Sequence, residues 1–89
     1  DETALVTEIV NQSQTDLYRV ELRRDDTGEL AAEPVEIAPG STQLALTLTE
    51  SLPLGNYPCT AIITALRDDQ AVGTVELSIT IHSAYLWNL

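Results

Sequence analysis

The residues whose types could support chemistry are mainly carboxylates, and they gather in two short polar segments. The segment "RRDDTGE" carries Asp25, Asp26 and Glu29, and the segment "RDDQ" carries Asp68 and Asp69. If both segments were turns at the same end of the molecule, their five carboxylates could approach one calcium ion, which prefers oxygen ligands. The spacing matches no known calcium loop, and arginines adjoin both segments, namely Arg23, Arg24 and Arg67. We therefore favour solvated turns with ion pairs, and calcium binding is the alternative.

The triplet "DTG" at residues 26–28 also occurs around the catalytic aspartate of dimeric aspartic proteases, where two such residues share a proton. That family places apolar residues before the triplet and a small residue after it, whereas the flanks here are "RRD" and "EL". Arg23 and Arg24 would also keep the carboxylate ionised, which opposes proton sharing. The triplet therefore predicts a hairpin turn in which Gly28 can adopt a positive φ.

The single Cys59 and the single His82 leave little scope for nucleophilic or metal chemistry. A zinc site needs several histidine or cysteine ligands, and one histidine offers no credible Ser–His–Asp arrangement. No positive charge or helix N-terminus is predicted beside Cys59 that would lower the pKa of its thiol. We therefore predict no catalytic residue, no cofactor and no enzymatic activity, and we interpret Cys59 as a small buried hydrophobe.

Strands must position these residues, because apolar and polar side chains alternate repeatedly with a period of two. Helix formers never recur at 3.6-residue spacing over a useful length. Strands are predicted over residues 3–10, 17–23, 29–33, 35–38, 42–49, 57–67 and 72–82. Alternation places one set of side chains on the inward faces of four of these strands: Tyr18, Val20 and Leu22; Leu44, Leu46 and Leu48; Tyr57, Cys59, Ala61, Ile63 and Ala65; and Val75, Leu77, Ile79 and Ile81. His82 is predicted to point outward.

Length and charge restrict the fold and the partners. The 89 residues suit one domain, over residues 1–83, followed by a strand extension or linker stub over residues 84–89. The net charge is −10, from 14 carboxylates and four arginines with no lysine. Such a surface repels nucleic acid and anionic lipid. No apolar run approaches the ~20 residues of a membrane helix, so we expect no membrane insertion.

The segment "LPLGNYPCTAII" resembles the start of the sixth strand in immunoglobulin-like domains. There a tyrosine hydroxyl bonds back to the preceding loop, an arrangement called the tyrosine corner. The resemblance implies that Tyr57 is the corner tyrosine. It also implies that Cys59 occupies the inward position that a disulfide would link to the strand at 17–23, where Val20 and Leu22 stand instead. The fold class implied is an all-β, Ig-like β-sandwich of two antiparallel sheets, with six or seven strands and Greek-key connections.

A longer stretch, over residues 11–82, is similar to Ig-like domains of secreted or cell-wall-linked proteins of Gram-positive bacteria. The shared features are a charged hairpin, a "PG" turn before a leucine strand, and "LPLGNY" before the sixth strand. This resemblance implies an extracellular or cell-surface location. Asn11, Gln12 and Ser13 match a glycosylation sequon, which a bacterial location would make irrelevant.

The expected function is that of a non-enzymatic spacer or protein-binding module. Tyr85 and Trp87 continue the inward parity of the last strand. Three roles are open to them: packing on their own domain, the start of a linker, or a binding surface. Carbohydrate binding is an alternative, for which Tyr18, Tyr85 and Trp87 are the available aromatic side chains. Strand exchange is the second alternative, in which two copies form an edge-strand dimer through the last strand and the tail.

Overall fold

A computed structural model describes residues 4–83 of the chain. These residues form two antiparallel sheets and no helix, which confirms the all-β fold class. The strands are β1 (Ala4–Val10), β2 (Leu17–Arg24), β3 (Val35–Ile37), β4 (Thr42–Thr47), β5 (Gly55–Arg67) and β6 (Gln70–Ser83). Within the described residues, nothing forms a helix long and apolar enough to cross a bilayer.

The six strands divide unequally between the sheets. One sheet has two strands in the order β1-β4, and the other has four strands in the order β3-β2-β5-β6. In the larger sheet Leu17 pairs with Leu66 and Arg24 with Cys59, so β2 lies along the second half of β5. A bulge between Val6 and Ile9 interrupts the pairing of β1 with β4.

A two-residue turn joins β5 to β6, as the segment "RDDQ" predicts. Asp68 and Asp69 both have positive φ, 52° and 64°. Two consecutive positive φ values give a turn whose twist matches that of the flanking strands, and aspartate tolerates this conformation better than most residues. The turn closes a long hairpin in which β6 continues to Ser83, paired with Gly55.

The strand predicted at residues 29–33 is wrong, because this segment passes from one sheet to the other. Leu30 makes an isolated bridge to Arg23 in the larger sheet, and Ala32 makes another to Leu48 at the end of β4. A segment that bridges both sheets cannot form a continuous ladder with either. Ala31 and Ala32 are buried at this crossing, which brings β4 to the β3 side of the sandwich.

The core occupies only part of the space between the sheets. The connected cluster of buried side chains consists of Leu22, Ala31, Ala32, Leu46, Leu48, Cys59, Ala61 and Ile81. Four of these eight residues are alanine or cysteine, so the sheets approach closely around small side chains. Leu44, which alternation places inward with Leu46 and Leu48, is 63% exposed, and that prediction is wrong.

Asn11 is a fully buried polar residue that links the turn at residues 11–16 to β3 and to the turn before β4. Its Nδ2 donates to the carbonyls of Asp16 (2.8 Å) and Ile37 (3.0 Å), and its Oδ1 accepts from the backbone N–H of Ser13 (2.9 Å). Its backbone N–H donates to the carbonyl of Ser41 (2.9 Å). Because the amide nitrogen is enclosed and twice hydrogen-bonded, the sequon match has no accessible acceptor in this fold.

We expect Asn11→Ala to lower the free energy of unfolding by about 2–4 kcal/mol, because it leaves buried backbone groups without partners. Urea denaturation measures the difference. Gln12→Ala, at an exposed neighbour, is the matched control and should stay within about 0.5 kcal/mol of the unmodified protein. Equal stability of the two variants would contradict the connecting role of Asn11.

Candidate functional site

The two acidic turns lie at opposite ends of the larger sheet. Asp25 and Asp26 follow the end of β2 where Arg24 pairs with Cys59, whereas Asp68 and Asp69 follow the end of β5 where Leu66 pairs with Leu17. Seven residues of extended strand separate these positions, or about 23 Å. The prediction that the turns are neighbours, on which the calcium alternative depended, is therefore wrong. Among the described residues, no group of three or more acidic, histidine or cysteine side chains is placed to hold a metal ion.

The carboxylates of Asp25 and Asp26 in the first turn are bonded within the protein. Arg24 binds both oxygens of Asp26, at 3.0 Å from Nε and 2.6 Å from Nη2. The hydroxyl of Thr60 donates to Asp25 Oδ1 at 2.7 Å. The guanidinium of Arg24 holds the pKa of Asp26 below its usual value, mainly through these hydrogen bonds. The arrangement agrees with the predicted ion-paired turn.

Asp16 forms a second bidentate ion pair, which nothing in the sequence indicates. Arg67 donates to Asp16 Oδ1 from Nε (2.7 Å) and to Oδ2 from Nη2 (3.2 Å), and Thr15 Oγ1 also donates to Oδ1 (2.9 Å). These hydrogen bonds, first that of Arg67 and then that of Thr15, lower the pKa of Asp16. Fifty-one positions separate Asp16 from Arg67 in the chain, so sequence spacing gives no signal for the pair.

Tyr57 makes the hydrogen bond that the tyrosine-corner resemblance implies. Its hydroxyl donates to the carbonyl of Pro53, four residues earlier, at 2.6 Å. Gly55 lies under the ring with φ of 148°, a conformation that other residues rarely adopt. The guanidinium of Arg24 lies 5.0 Å from the centre of the Tyr57 ring, within cation–π distance. Tyr57 thereby fixes the entry of the chain into β5.

Cys59 lies in the core and is 1% exposed. Its Sγ donates weakly to the carbonyl of Tyr57 at 3.4 Å. Burial raises the pKa of the thiol, and the nearby carboxylate of Asp25 raises it further. A thiol that is enclosed and held protonated is a poor nucleophile, so its place suits packing.

The strand at 17–23 does not face Cys59 across the sandwich. β2 is hydrogen-bonded to β5 in the same sheet, where Leu22 pairs with Ala61 and Val20 with Ile63. The expectation that Val20 and Leu22 stand opposite the cysteine is therefore wrong, although both are buried. The leucines of the other sheet in the same buried cluster as Cys59 are Leu46 on β4 and Leu48 just beyond it.

One face of β6 is apolar and exposed. Alternation places Val75, Leu77, Ile79 and Ile81 on the side that faces the smaller sheet, but only Ile81 is buried. The side chains of Val75, Leu77 and Ile79 are 55%, 47% and 39% exposed. We call these three residues the β6 row. The prediction that they belong to the core is wrong, because the smaller sheet does not extend over them.

The position of the smaller sheet explains this exposure. β4 contacts β3, at the far side of the larger sheet from β6, and β1 pairs with β4 in the smaller sheet. In the described part of the chain, no strand pairs with the second edge of β1 or with the outer edge of β6. The β6 row therefore lies along an open flank of the sandwich, beside 14 residues of free strand edge.

The other predicted surface residues are only partly described. Tyr18 is half-buried, and His82 is exposed with its Nδ1 2.7 Å from Asn56 Oδ1. Tyr85 and Trp87, like the whole segment 84–89, lie outside the described residues. A shallow depression beside the β5–β6 turn is lined by Leu17, Leu66 and charged side chains. Arg19 and Glu36 in its lining are already paired at 3.0 Å.

Comparison of the chain with protein-family models, with curated protein sequences and with solved structures gave no match. The inferences below therefore depend on the geometry of the described residues.

We expect Cys59 to react with thiol reagents on the order of 100-fold more slowly in the native protein than in urea, because labelling requires opening of the core. Cys59→Ser should be destabilising by about 1–3 kcal/mol through a buried hydroxyl without a full partner. Cys59→Ala, which removes the sulfur without adding that hydroxyl, is the matched control and should cost less. Rapid native labelling would show that the sulfur is accessible.

The pair of Asp16 and Arg67 should make stability depend on acid. Because the folded protein lowers the pKa of Asp16, its stabilising contribution is fully present above the ordinary aspartate pKa of about 3.9 and is lost as pH falls through the folded value. Asp16→Asn should therefore be less stable than the unmodified protein at pH 7, and the difference should disappear towards pH 2. Asp69→Asn keeps the left-handed turn and serves as control. Urea titrations at several pH values measure the difference in unfolding free energy between the variant and the unmodified protein. A difference that stays constant with pH would contradict this account.

Proposed function

We propose that this chain is a non-enzymatic, Ig-like module of a secreted or surface-attached bacterial protein, and that it binds another protein through β6. The observation that carries the binding role is the β6 row, an apolar face left uncovered beside a free strand edge. Contiguous apolar patches larger than a few hundred Å² are rare on monomeric proteins, and the largest apolar patch of a monomer is often a contact surface. A spacer role in the parent chain is compatible with the same fold.

The strand order supports the Ig-like assignment. In immunoglobulin-like sandwiches the second and fifth strands are neighbours in one sheet, and the third, sixth and seventh are neighbours in the other. The pairs β1-β4 and β2-β5-β6 reproduce these relations if β1 takes the second position, with β3 added beside β2. The Tyr57 hydrogen bond then stands at the start of the sixth strand, where the tyrosine corner belongs.

This alignment also gives a reason for the exposed row. The first strand of an Ig-like sandwich lies beside the second, which here means beside the free edge of β1. A strand in that place would lie over β6. The described residues supply no such strand, so the β6 row is the part of the interior that a binding partner could cover.

The proposal of a non-enzymatic role is supported by the state of the reactive groups described. The thiol of Cys59 is enclosed, Asp16 and Asp26 are paired with arginines, and the acidic turns lie far apart. Glycan binding depends on Tyr85 and Trp87, and no described contact favours it over protein binding.

The location can be tested on intact cells of the organism that encodes the chain. We expect antibodies raised against the folded domain to label unpermeabilised cells or to detect the protein in the culture medium, because an extracellular module is accessible there. An antibody against a cytosolic protein is the control for cell integrity. Labelling that requires permeabilisation would overturn the secreted or surface assignment, whatever the binding properties of β6.

A further inference from the structure

We propose that the partner of β6 is a second copy of this chain, paired antiparallel along β6 about a two-fold axis at Leu77. This inference rests on the proposed binding role of β6 and names its partner. The pairing would join two four-stranded sheets into one sheet of eight strands. It would place the β6 rows of the two copies side by side on one face.

The free edge of β6 carries few of the features that protect exposed edges from pairing. Natural edge strands are usually short or carry lysine, proline or inward-pointing charges. β6 has 14 residues, no lysine and no proline, and its single carboxylate, Glu76, belongs to the face opposite the β6 row. The bulge opposite Ala65 and Leu66 lies near the start of the strand and leaves residues 73–83 regularly paired.

The charge distribution permits two acidic copies to meet at this edge. The net charge of −10 would oppose association, but the paired strands β5 and β6 together contain only Glu76 and Arg67 as acidic or basic residues, apart from His82. Most carboxylates therefore lie elsewhere on the molecule. At physiological salt, charges separated by more than about 8 Å are largely screened. A second copy meets a nearly neutral strand.

The β6 row selects the register. If both rows lie on one face of the joined sheet, the two-fold axis passes between one residue of β6 and the same residue of the second copy. An axis at Glu76 would place two carboxylates directly opposite each other, which is unfavourable. An axis at Ser78 would place Val75 opposite Ile81, whose side chain is already buried.

An axis at Leu77 avoids both conflicts. Leu77 then faces its counterpart, and Val75 of each copy faces Ile79 of the other, so the exposed apolar side chains pack side by side in cross-strand pairs. Glu76 faces Ser78, which can accommodate the charge with its hydroxyl. The antiparallel arrangement also keeps the Asp68–Asp69 turns of the two copies at opposite ends of the shared sheet.

Sedimentation equilibrium of the full chain over a range of concentrations tests the association. We expect a reversible dimer that strengthens as sodium chloride rises from 0.05 to 0.5 M, a range chosen because added salt screens like charges. Leu77→Glu should weaken the dimer by roughly tenfold or more, since it opposes two carboxylates at the axis. Leu44→Glu adds the same charge at an exposed leucine of the other sheet, and it should leave the dimer unchanged.

Cysteine crosslinking tests the register. Under mild oxidation Leu77→Cys should form a covalent dimer, because residues opposite each other in an antiparallel pair have Cβ atoms about 4.5–5.5 Å apart. Val75→Cys faces Ile79 and should crosslink poorly, and so should Ser78→Cys. The unmodified chain, with only the buried Cys59, is the control for background oxidation, and circular dichroism confirms that each variant is folded.

The outcomes separate this inference from the proposed function. A monomer at all concentrations, or a dimer that Leu77→Glu and Leu44→Glu weaken equally, would overturn pairing through β6 without affecting the surface location. Efficient crosslinking of Ser78→Cys instead of Leu77→Cys would overturn the proposed register. Another protein that covers the β6 row of a chain that stays monomeric would support the binding role and refute the second copy as partner.

Discussion

A two-stranded sheet cannot cover a four-stranded one, and this mismatch governs the rest of the structure. Neighbouring strands lie about 4.8 Å apart, so β1 and β4 together span roughly half the width of β3-β2-β5-β6. Contacts with β3 and the bridge from Ala32 to Leu48 fix the smaller sheet over one side. The core reaches β6 only at Ile81, and Val75, Leu77 and Ile79 remain along the flank. The exposure of Val75, Leu77 and Ile79 follows from the strand count rather than from their own sequence.

A core of this size leaves much of the ordering to polar contacts at the two ends of the sandwich. At one end the side chain of Asn11 binds three backbone groups, and Asp16 beside it holds Arg67 at the end of β5. At the other end Tyr57 bonds to Pro53 and lies under Arg24. Among the described residues no buried side-chain nitrogen or oxygen lacks a partner. These satisfied contacts suit a small domain, which buries a limited share of its surface.

The sequence predicts local features well because local physics determines them. Alternation located the strands except the one expected at residues 29–33, and the "RDDQ" turn closes its hairpin. The resemblance at Gly55 and Tyr57 implied the corner hydrogen bond that Tyr57 makes. The errors concern which strands share a sheet. The resemblance implied that Val20 and Leu22 stand opposite Cys59. Alternation does not reveal this error, because it is the same for two strands side by side and for two that face each other. Asn11 was missed because a polar residue after a strand has the same appearance in a turn and in a buried hub.

The same reasoning shows what alternation can say about β6. A period of two reveals that one face of a strand avoids water, but it does not reveal what covers that face. In β2 the cover is the smaller sheet, and Leu22 is 2% exposed. In β6 the same pattern is covered at Ile81 but, within the described residues, not at Leu77, which is 47% exposed. The pattern is as regular in β6 as in the buried strands, and the strand is nearly free of charge on an acidic protein. A surface kept both apolar and neutral on such a protein is suited to contact with another strand, and a second β6 meets that requirement without opposing charges.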